Sequence, residues 1–326
     1  MSEENKKPFC ARPFYELSMM HDGSVQPCCL LDDYPIGNIK DSSMEELWNC
    51  EKIMALREEF ISGNISTCAK KIKNKQCHKY YEVFEKDIVK EVVQELPPQK
   101  LDLRLNGKCN IECIMCTVWR GPNGVYDQST FWSEGPEKVF PFLKHIDLLG
   151  GEPFVQRDTF KLIDEVTKTN KDCFWSITTN GNWSFTKKIK DSLNLIKLDT
   201  ITISVDSIFP DTYLKIRKKG NYSQLIKNIN DLLKYRDERK SFRIKLDFCV
   251  QRLNYHEIFA FIDFCKKKNL DHSFIFLFDP NVFCVLEERD VDLSKYLDKL
   301  LEELKTSGNE QLQQIIIPIE EYFLRK

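Results

Sequence analysis

The stretch LDLRLNGKCNIECIMCTVWR, residues 101–120, places Cys109, Cys113 and Cys116 just after a short apolar run, in the spacing C-x3-C-x2-C. An iron–sulfur cube needs four ligands, so three protein thiolates would leave one iron open to a ligand that is not protein. Zinc is the alternative, because it takes four Cys or His ligands and His78 is the nearest candidate for the fourth. The spacing therefore indicates a metal site, and other motifs must decide between iron and zinc.

A second motif, Gly150-Gly151-Glu152-Pro153, follows directly on the apolar residues 145–149 (HIDLL). Taken alone, a Gly-Gly pair after a strand is an ordinary turn. The motif begins 34 positions after Cys116, which leaves room for one helix between the two motifs. The presence of both motifs at this separation argues against a chance occurrence of the Gly-Gly turn.

Together the two motifs resemble the signature of the radical SAM superfamily. In that family the open iron chelates the amino and carboxylate groups of S-adenosylmethionine (SAM), and a GGEP segment binds the SAM amino group. The resemblance implies a [4Fe–4S] cluster on the three cysteines and a SAM site at the GGEP residues. The position before the third cysteine, often aromatic in the family and packed against adenine, is Met115 here. A polarizable thioether can fill that place.

Composition agrees with an intracellular enzyme. The chain has 326 residues, of which 42% are hydrophobic and 30% charged, enough for about one large or two modest domains. A net charge of −2 argues against a nucleic-acid binder, and neither an 18-residue apolar run nor a signal-peptide pattern occurs. Thirteen cysteines, clustered toward the first third, favour thiolate ligands in a reducing compartment. We expect a soluble cytoplasmic protein with no membrane partner.

From Lys100 onward, short apolar or β-branched segments alternate with amphipathic segments, which predicts βα units and a parallel sheet. The predicted strands are residues 101–106, 145–149, 174–179, 200–205, 244–250 and 273–278. The predicted helices between them are residues 159–169, 187–195, 222–235 and 254–268. Six such strands make an open barrel, and the resemblance implies the partial (β/α)6 TIM-like barrel of the family. In parallel barrels the chemistry gathers at the C-terminal ends of strands.

Candidate SAM-binding residues lie at the ends of the third and fourth predicted strands, at Thr179, Ser204 and Asp206, and further on at Arg217. The resemblance implies that a Ser or Asp here reaches the SAM ribose hydroxyls and that an Arg reaches the SAM carboxylate, which suits a guanidinium fork. The alternative is purely structural. Asp206 would then cap the following helix, and Arg217 would lie on the solvent face of that helix.

The N-terminal residues 1–97 form a separate region with its own local structure. Residues 21–24 (HDGS) predict a hairpin turn between two short strands. A helix over residues 42–60 is predicted next, because Ser42 and Glu45 have capping-box spacing and Gly63 is a stop signal.

The spacing C-x12-G-x4-C, from Cys10 through Gly23 to Cys28, is followed by Cys68 and Cys77. This pattern resembles the SPASM or shorter twitch module of radical SAM enzymes, which carries an auxiliary [4Fe–4S] cluster. The resemblance implies that Cys10, Cys28, Cys68 and Cys77 hold such a cluster. A zinc ribbon would be satisfied equally well by four cysteines.

Three details concern the number of clusters in this module and the identity of their ligands. Lys71 and Tyr81 stand where a full SPASM module would offer further cysteines, so one auxiliary cluster is expected rather than two. Either Cys28 or its neighbour Cys29 could be the ligand. Cys50 falls within the predicted helix, which favours a packing role.

In these enzymes the auxiliary-cluster module usually follows the barrel, whereas in this chain the module precedes the barrel. The expected domains are the auxiliary-cluster module at 1–97, the radical SAM barrel at 98–285 and a helical extension at 286–326. A helix over residues 77–96 and the break at Pro97-Pro98 would join the first two. The extension predicts helices at 293–306 and 310–323, the second interrupted at Pro318.

The resemblance implies an enzyme that needs a one-electron donor such as flavodoxin or ferredoxin. SAM would be cleaved to methionine and a 5′-deoxyadenosyl radical, which removes a hydrogen atom from the substrate. A fully ligated auxiliary cluster would accept an electron, as in the dehydrogenation or crosslinking of a peptide or small molecule. A non-catalytic iron–sulfur or SAM-binding partner protein and a zinc-bound scaffold are the alternatives. No segment of the sequence names the substrate.

Overall fold

The computed structural model of this chain describes residues 9–31, 33–71, 88–239, 241–287 and 292–324. Helices alternate with parallel strands, which confirms the α/β class predicted from the sequence. The chain divides into two units, of which the first comprises Met1–Lys108, Arg120–Ile177 and Lys187–Leu198. The second comprises Cys109–Trp119, Thr178–Thr186 and Asp199–Lys326. The domain boundaries expected after residues 97 and 285 stay predictions.

The described strands and helices have the following bounds. The strands are β1 (Glu16–Met19), β2 (Ser24–Gln26), β3 (Gly37–Asn38), β4 (Lys100–Leu103), β5 (Glu112–Cys113), β6 (His145–Leu148), β7 (Phe174–Thr179), β8 (Lys197–Ser204), β9 (Arg217–Lys218), β10 (Arg243–Val250) and β11 (Asp271–Phe276). The helices are α1 (Met44–Trp48), α2 (Glu51–Ser62), α3 (Ser66–Lys71), α4 (Phe131–Lys138), α5 (Arg157–Thr169), α6 (Lys187–Leu195), α7 (Pro210–Ile216), α8 (Tyr222–Arg239), α9 (Ile258–Lys268), α10 (Leu293–Ser307) and α11 (Gln313–Leu324). All six strands predicted for the barrel are present.

In the first unit the strands lie in the order β7-β6-β4-β1-β2-β3. β4, β6 and β7 run parallel, and β1 runs parallel to β4 with Ser18 opposite Asp102. β1 and β2 form the antiparallel hairpin predicted around residues 21–24. The N-terminal hairpin therefore extends the sheet that β4 begins.

The helix predicted over residues 42–60 is wrong in two respects. The capping box is formed by Ser43 and Glu46, because that start places Met44, Leu47 and Trp48 in the core. The helix also breaks after Trp48, whose carbonyl accepts a hydrogen bond from the buried Arg57 (2.6 Å) instead of continuing the ladder. Cys50 consequently precedes α2 as its N-cap residue and does not lie within a helix.

In the second unit β8, β10 and β11 run parallel, with Ser204 of β8 opposite Asp247 of β10. From Ile244 onward, the side chains of β10 alternate between buried and half-buried. Phe248 packs on Phe261 of α9, with ring centroids 4.8 Å apart. The intervening residues Asp247 and Cys249 therefore face away from α9.

The C-terminal helix that contains Pro318 and the segment that links the module to the barrel differ from the sequence-based predictions. α11 continues through Pro318, which is buried together with Ile315, Ile316 and Ile319, so packing of this face offsets the lost backbone hydrogen bond. Of the helix predicted over residues 77–96, residues 77–87 lie outside the described residues, and residues 88–96 form no helix. None of the described helices combines the length and apolar character needed to cross a bilayer.

Candidate functional site

The loop that carries Cys109, Cys113 and Cys116 is held by backbone hydrogen bonds within the second unit. β5 pairs antiparallel with β9, which sets Cys113 opposite Arg217. The Ile114 N–H donates to the Ile216 carbonyl (3.0 Å), and the Cys116 N–H donates back to the Cys113 carbonyl (3.1 Å). All three cysteines are half-buried, so the loop presents thiols from a fixed backbone.

Two of these thiols have N–H donors beside them. Asn180 Nδ2 lies 3.6 Å from Cys109 Sγ, and Arg217 Nη1 lies 3.6 Å from Cys113 Sγ. Burial raises the pKa of Cys113 to about 11, although the Arg217 charge opposes that rise. Because metal ligation deprotonates a thiol, donors at the sulfur suit a thiolate that binds iron.

Arg217 also forms a buried ion pair with Asp206, since Arg217 Nη2 lies 2.7 Å from Asp206 Oδ2. The second carboxylate oxygen of Asp206 accepts a hydrogen bond from the Cys249 N–H (2.8 Å). Burial raises the pKa of Asp206, while Arg217 and the Cys249 N–H oppose the rise. The structural alternative is therefore wrong at both positions: α7 has Phe209 as its N-cap residue, and Arg217 is buried rather than solvent-facing.

The other strand-end candidates lie in the same unit. Thr179 Oγ1 accepts hydrogen bonds from the Gly181 N–H (3.2 Å) and from Trp183 Nε1 (2.7 Å), so it closes the turn after β7. Ser204 ends β8 and is half-buried, as is Met115 on the cysteine loop. Contact of these residues with SAM stays a prediction.

The GGEP segment lies in the first unit and is a rigid turn. Gly150 and Gly151 have φ values of 82° and 50°. A Cβ on Gly150 would come within 2.6 Å of the Arg104 Cβ, and one on Gly151 would collide with the Lys108 carbonyl oxygen. Both positions therefore require glycine.

Glu152 is fully buried in this turn. Its N–H donates to the Lys108 carbonyl (2.9 Å), and its carboxylate accepts from the Phe154 N–H (3.1 Å). Gln156 Nε2 braces the same turn by donating to the Gly150 carbonyl (3.1 Å) and the Lys108 carbonyl (3.0 Å). The carboxylate is thus fixed in orientation, and its role toward the SAM ammonium stays a prediction.

The N-terminal module brings sequence-distant cysteines together. Cys10, Cys28 and Cys68 belong to one buried cluster, together with Phe14, Leu31, Leu56 and Phe60. Cys77 lies outside the described residues. The Cys50 thiol instead contacts the Ile36 carbonyl oxygen at 3.6 Å.

Arg12 is a residue of this module that sequence reasoning missed. Its Nη1 lies 3.5 Å from Cys29 Sγ, and it forms an ion pair with Glu16. Burial raises the pKa of both Cys28 and Cys29, and the Arg12 charge opposes the rise. No motif marks this arginine. Its position two residues after Cys10, a candidate cluster ligand, is a feature of the sequence that could have drawn attention to it.

Gln251 is a second missed residue. It directly follows β10 and is fully buried, and neither heteroatom of its carboxamide has a hydrogen-bond partner within the described part of the chain. Its N–H donates to Asn254 Oδ1 (2.8 Å), and Asn254 Nδ2 donates to the Asp206 carbonyl (2.7 Å). A buried unpaired polar group calls for an explanation, such as a ligand or water that completes its hydrogen bonds.

The thiol groups fit iron–sulfur clusters through their chemistry. Within the residues that the structure describes, no three Cys, His, Asp or Glu side chains converge on the position of a single ion. Each thiolate of a cube binds a different iron, so a cluster does not require such convergence. The fit rests on thiols that have the N–H donors of Asn180, Arg217 and Arg12 beside them.

Comparisons with known proteins match two separate stretches of the chain. The model of the radical SAM superfamily matches residues 103–246, and a SPASM model, described as an iron–sulfur cluster-binding domain, matches residues 10–79. The GTP 3′,8-cyclase of Nautilia profundicola is 27% identical over 62% of this chain and 63% of its own length. That of Petrotoga mobilis is 29% identical over 54% of both chains. This chain thus spans little more than half the length of these relatives.

Solved structures also resemble the chain. The crystal structure of Streptococcus suis SuiB covers 82% of this chain and 63% of its own, with 15% identity and a TM-score of 0.48. The structure of anSMEcpe with bound AdoMet covers 63% of this chain and 61% of its own, with 17% identity and a TM-score of 0.45.

Proposed function

This chain belongs to the radical SAM superfamily and carries an iron–sulfur module ahead of its radical SAM domain, and from that premise we propose that it oxidises a peptide or small molecule after hydrogen-atom abstraction. Cys109, Cys113 and Cys116 would hold the SAM-binding [4Fe–4S] cluster. When bound, that cluster supplies the electron that cleaves SAM to methionine and a 5′-deoxyadenosyl radical. Flavodoxin or ferredoxin is the class of reductant that we expect.

The observation that carries this proposal is the contact of Arg217 with both Cys113 and Asp206. The guanidinium donates toward the Cys113 sulfur while Asp206 holds it in place. Its Nε has no hydrogen-bond partner among the described residues, so one N–H is available to a carboxylate ligand. This arrangement supports the role expected for Arg217 at the SAM carboxylate.

We propose the remaining SAM contacts from the chemistry of the side chains. Glu152 would accept hydrogen bonds from the SAM ammonium, and the two glycines before it let the backbone approach closely. Gln251 offers a donor and an acceptor side by side, the pair that the edge of an adenine ring complements. Met115 would pack against the adenine, while Ser204 would reach the ribose hydroxyls.

We assign the auxiliary [4Fe–4S] cluster to Cys10, Cys28, Cys68 and Cys77. The burial of Cys10, Cys28 and Cys68 in one core supports this assignment. A fully ligated cluster would supply an electron acceptor, which a dehydrogenation or crosslink requires. The curated relatives are named for a reaction of GTP, which brings nucleotides into the range of small molecules to be tested.

The test starts from anaerobically reconstituted full-length protein with dithionite and SAM. We expect release of 5′-deoxyadenosine, and its loss in the variant Cys109→Ala/Cys113→Ala/Cys116→Ala, which should keep about four irons, the content of one cube. Failure of the wild-type protein to release 5′-deoxyadenosine would support the non-catalytic partner. Absence of thiolate-to-iron absorbance in the visible range would support the zinc scaffold. Addition of peptide and nucleotide fractions of cell extract, followed by a search for products lighter by two hydrogens, identifies the substrate.

A further inference from the structure

Arg12 lies against the cysteine pair of the N-terminal module. It begins a short 3-10 turn, Arg12–Phe14, two residues after Cys10. Its side chain is 16% exposed, and its Nη1 is 3.5 Å from Cys29 Sγ. Its charge also acts on the thiols of Cys28 and Cys10, both of which are buried. Among the described residues, the Arg12 guanidinium therefore places a positive charge beside the Cys29 sulfur and close enough to act on Cys28 and Cys10.

A chain of ion pairs also holds the guanidinium in place. The Glu16 carboxylate, whose side chain is 2% exposed, contacts Arg12 and also lies 3.3 Å from Lys100 Nζ. Lys100 Nζ in turn lies 2.7 Å from Asp147 Oδ2. Glu16 and Lys100 are opposite each other on the paired strands β1 and β4. Arg12 is thus anchored to the sheet and cannot turn away from the cysteines without breaking a buried pair.

We propose that Arg12 is a positioning residue that raises the reduction potential of the auxiliary cluster, an inference that rests on the proposed assignment of that cluster to the module. A cube held by four thiolates is anionic, and one-electron reduction adds a further negative charge. A fixed cation at low exposure stabilises the reduced form more than the oxidised form. Arg12 thereby makes the cluster a better electron acceptor.

The same contacts assign different roles to the two adjacent cysteines. Cys28 shares the buried core with Cys10 and Cys68, the other described cysteines of the proposed cluster. Cys29 is half-buried and its sulfur is the one that Arg12 Nη1 contacts. In this proposal Cys28 joins Cys10 and Cys68 as a ligand, and Cys29 helps to hold the guanidinium next to it.

The test isolates the module in full-length protein that carries Cys109→Ala/Cys113→Ala/Cys116→Ala. The midpoint potential of the remaining cluster is measured by electron paramagnetic resonance during titration with dithionite. The variant Arg12→Gln removes the charge but keeps an N–H donor, whereas Arg12→Lys keeps the charge. The control variant is Lys40→Gln, which removes an exposed charge from the same module. We expect Arg12→Gln to make reduction at least tenfold less favourable, about 59 mV for one electron. Arg12→Lys should retain most of the potential and Lys40→Gln all of it.

The outcomes separate this inference from the function on which it rests. A triple-alanine protein without iron contradicts the cluster assignment of the module. Normal iron with an unchanged potential in Arg12→Gln overturns the role of Arg12. If Arg12→Gln loses its iron, Glu16→Gln decides, because removing the compensating anion should raise the potential. An unchanged or lower potential in Glu16→Gln would then overturn the inference.

Discussion

Arg217 Nη2 lies 2.7 Å from Asp206 Oδ2, with only 7% of the arginine side chain and 1% of the aspartate side chain exposed. The same guanidinium contacts Cys113 Sγ through Nη1. One buried arginine thus connects a thiol of the cysteine loop with Asp206, the second residue after β8.

Breaking the Arg217–Asp206 ion pair should lower the stability of the protein. Arg217→Met leaves the Asp206 carboxylate buried without its cation, and we expect it to lower the free energy of unfolding by about 3–5 kcal/mol. Asp206→Asn/Arg217→Met, which removes both charges, should recover part of that loss. Denaturant unfolding of reduced, iron-free protein measures both. Lys187→Met breaks the exposed pair with Asp191 and should change stability by less than about 1 kcal/mol; an equal effect at the two sites would contradict this account.

Gly151→Ala tests the GGEP turn. The substitution adds a Cβ that collides with the Lys108 carbonyl oxygen at a φ of 50°, and it should both destabilise the protein and weaken SAM binding. Gly308→Ala is the matched control, because Gly308 has a φ of 65° with no atom within 4 Å of the added Cβ. The control should cost only the left-handed strain, about 1–2 kcal/mol. Equal losses of stability in the two variants, with SAM affinity intact, would show that the close approach at Gly151 is unimportant.

Glu152→Gln keeps the shape of the buried side chain and removes its charge. Loss of a charge-assisted hydrogen bond to the SAM ammonium is worth about 1.5–3 kcal/mol, so the SAM dissociation constant should rise about tenfold or more. Iron content should stay at the wild-type value, as it should in the exposed control Glu137→Gln. An unchanged dissociation constant would leave Glu152 as a residue of the turn alone.

Gln251→Leu should have opposite effects on stability and binding. Replacement of an unpaired buried carboxamide should stabilise the SAM-free protein by about 1 kcal/mol, while SAM affinity falls. Gln224→Leu is the control, because Gln224 Nε2 already donates to the Trp183 carbonyl (2.9 Å) and its loss should destabilise the protein. A destabilised Gln251→Leu protein with normal SAM affinity would mean that the carboxamide has a structural partner such as water.

Cys68→Ala should spare 5′-deoxyadenosine formation without substrate and abolish the oxidised product. The substrate radical then lacks the acceptor that the module is proposed to provide. Cys173→Ala changes an equally buried cysteine outside the module and should leave product yield unchanged. Wild-type product yield in Cys68→Ala would make the module structural, with its metal contributing folding energy.

The strands were predictable because each one carries its signal locally. Residues 174–179 and 244–250 alternate or run apolar within a single segment, and β7 and β10 lie there within one residue of the predicted bounds. The helix break after Trp48 was not predictable, because Arg57 takes the Trp48 carbonyl through a contact that only tertiary structure creates.

In the candidate site, too, features that depend on adjacent residues were predictable, and features that depend on contacts between distant residues were not. The cysteine spacing and GGEP are contiguous motifs, so the sequence displays them directly. The burial of Arg217 depends on β9 pairing with β5, two segments of two residues each that are more than 100 positions apart. Such a short ladder has no periodicity to detect, which is why a solvent-exposed Arg217 stayed an open alternative until the structure was known.

The β5–β9 ladder has a consequence for how the protein acquires its iron. Because Cys113 lies in this ladder and Cys116 is turned back onto it, the loop has lost much of its conformational entropy before any metal arrives. A preorganised receptor binds its ligand with a smaller ordering cost. The cysteine loop should therefore bind its cluster at a smaller entropic cost than a loop that first has to become ordered.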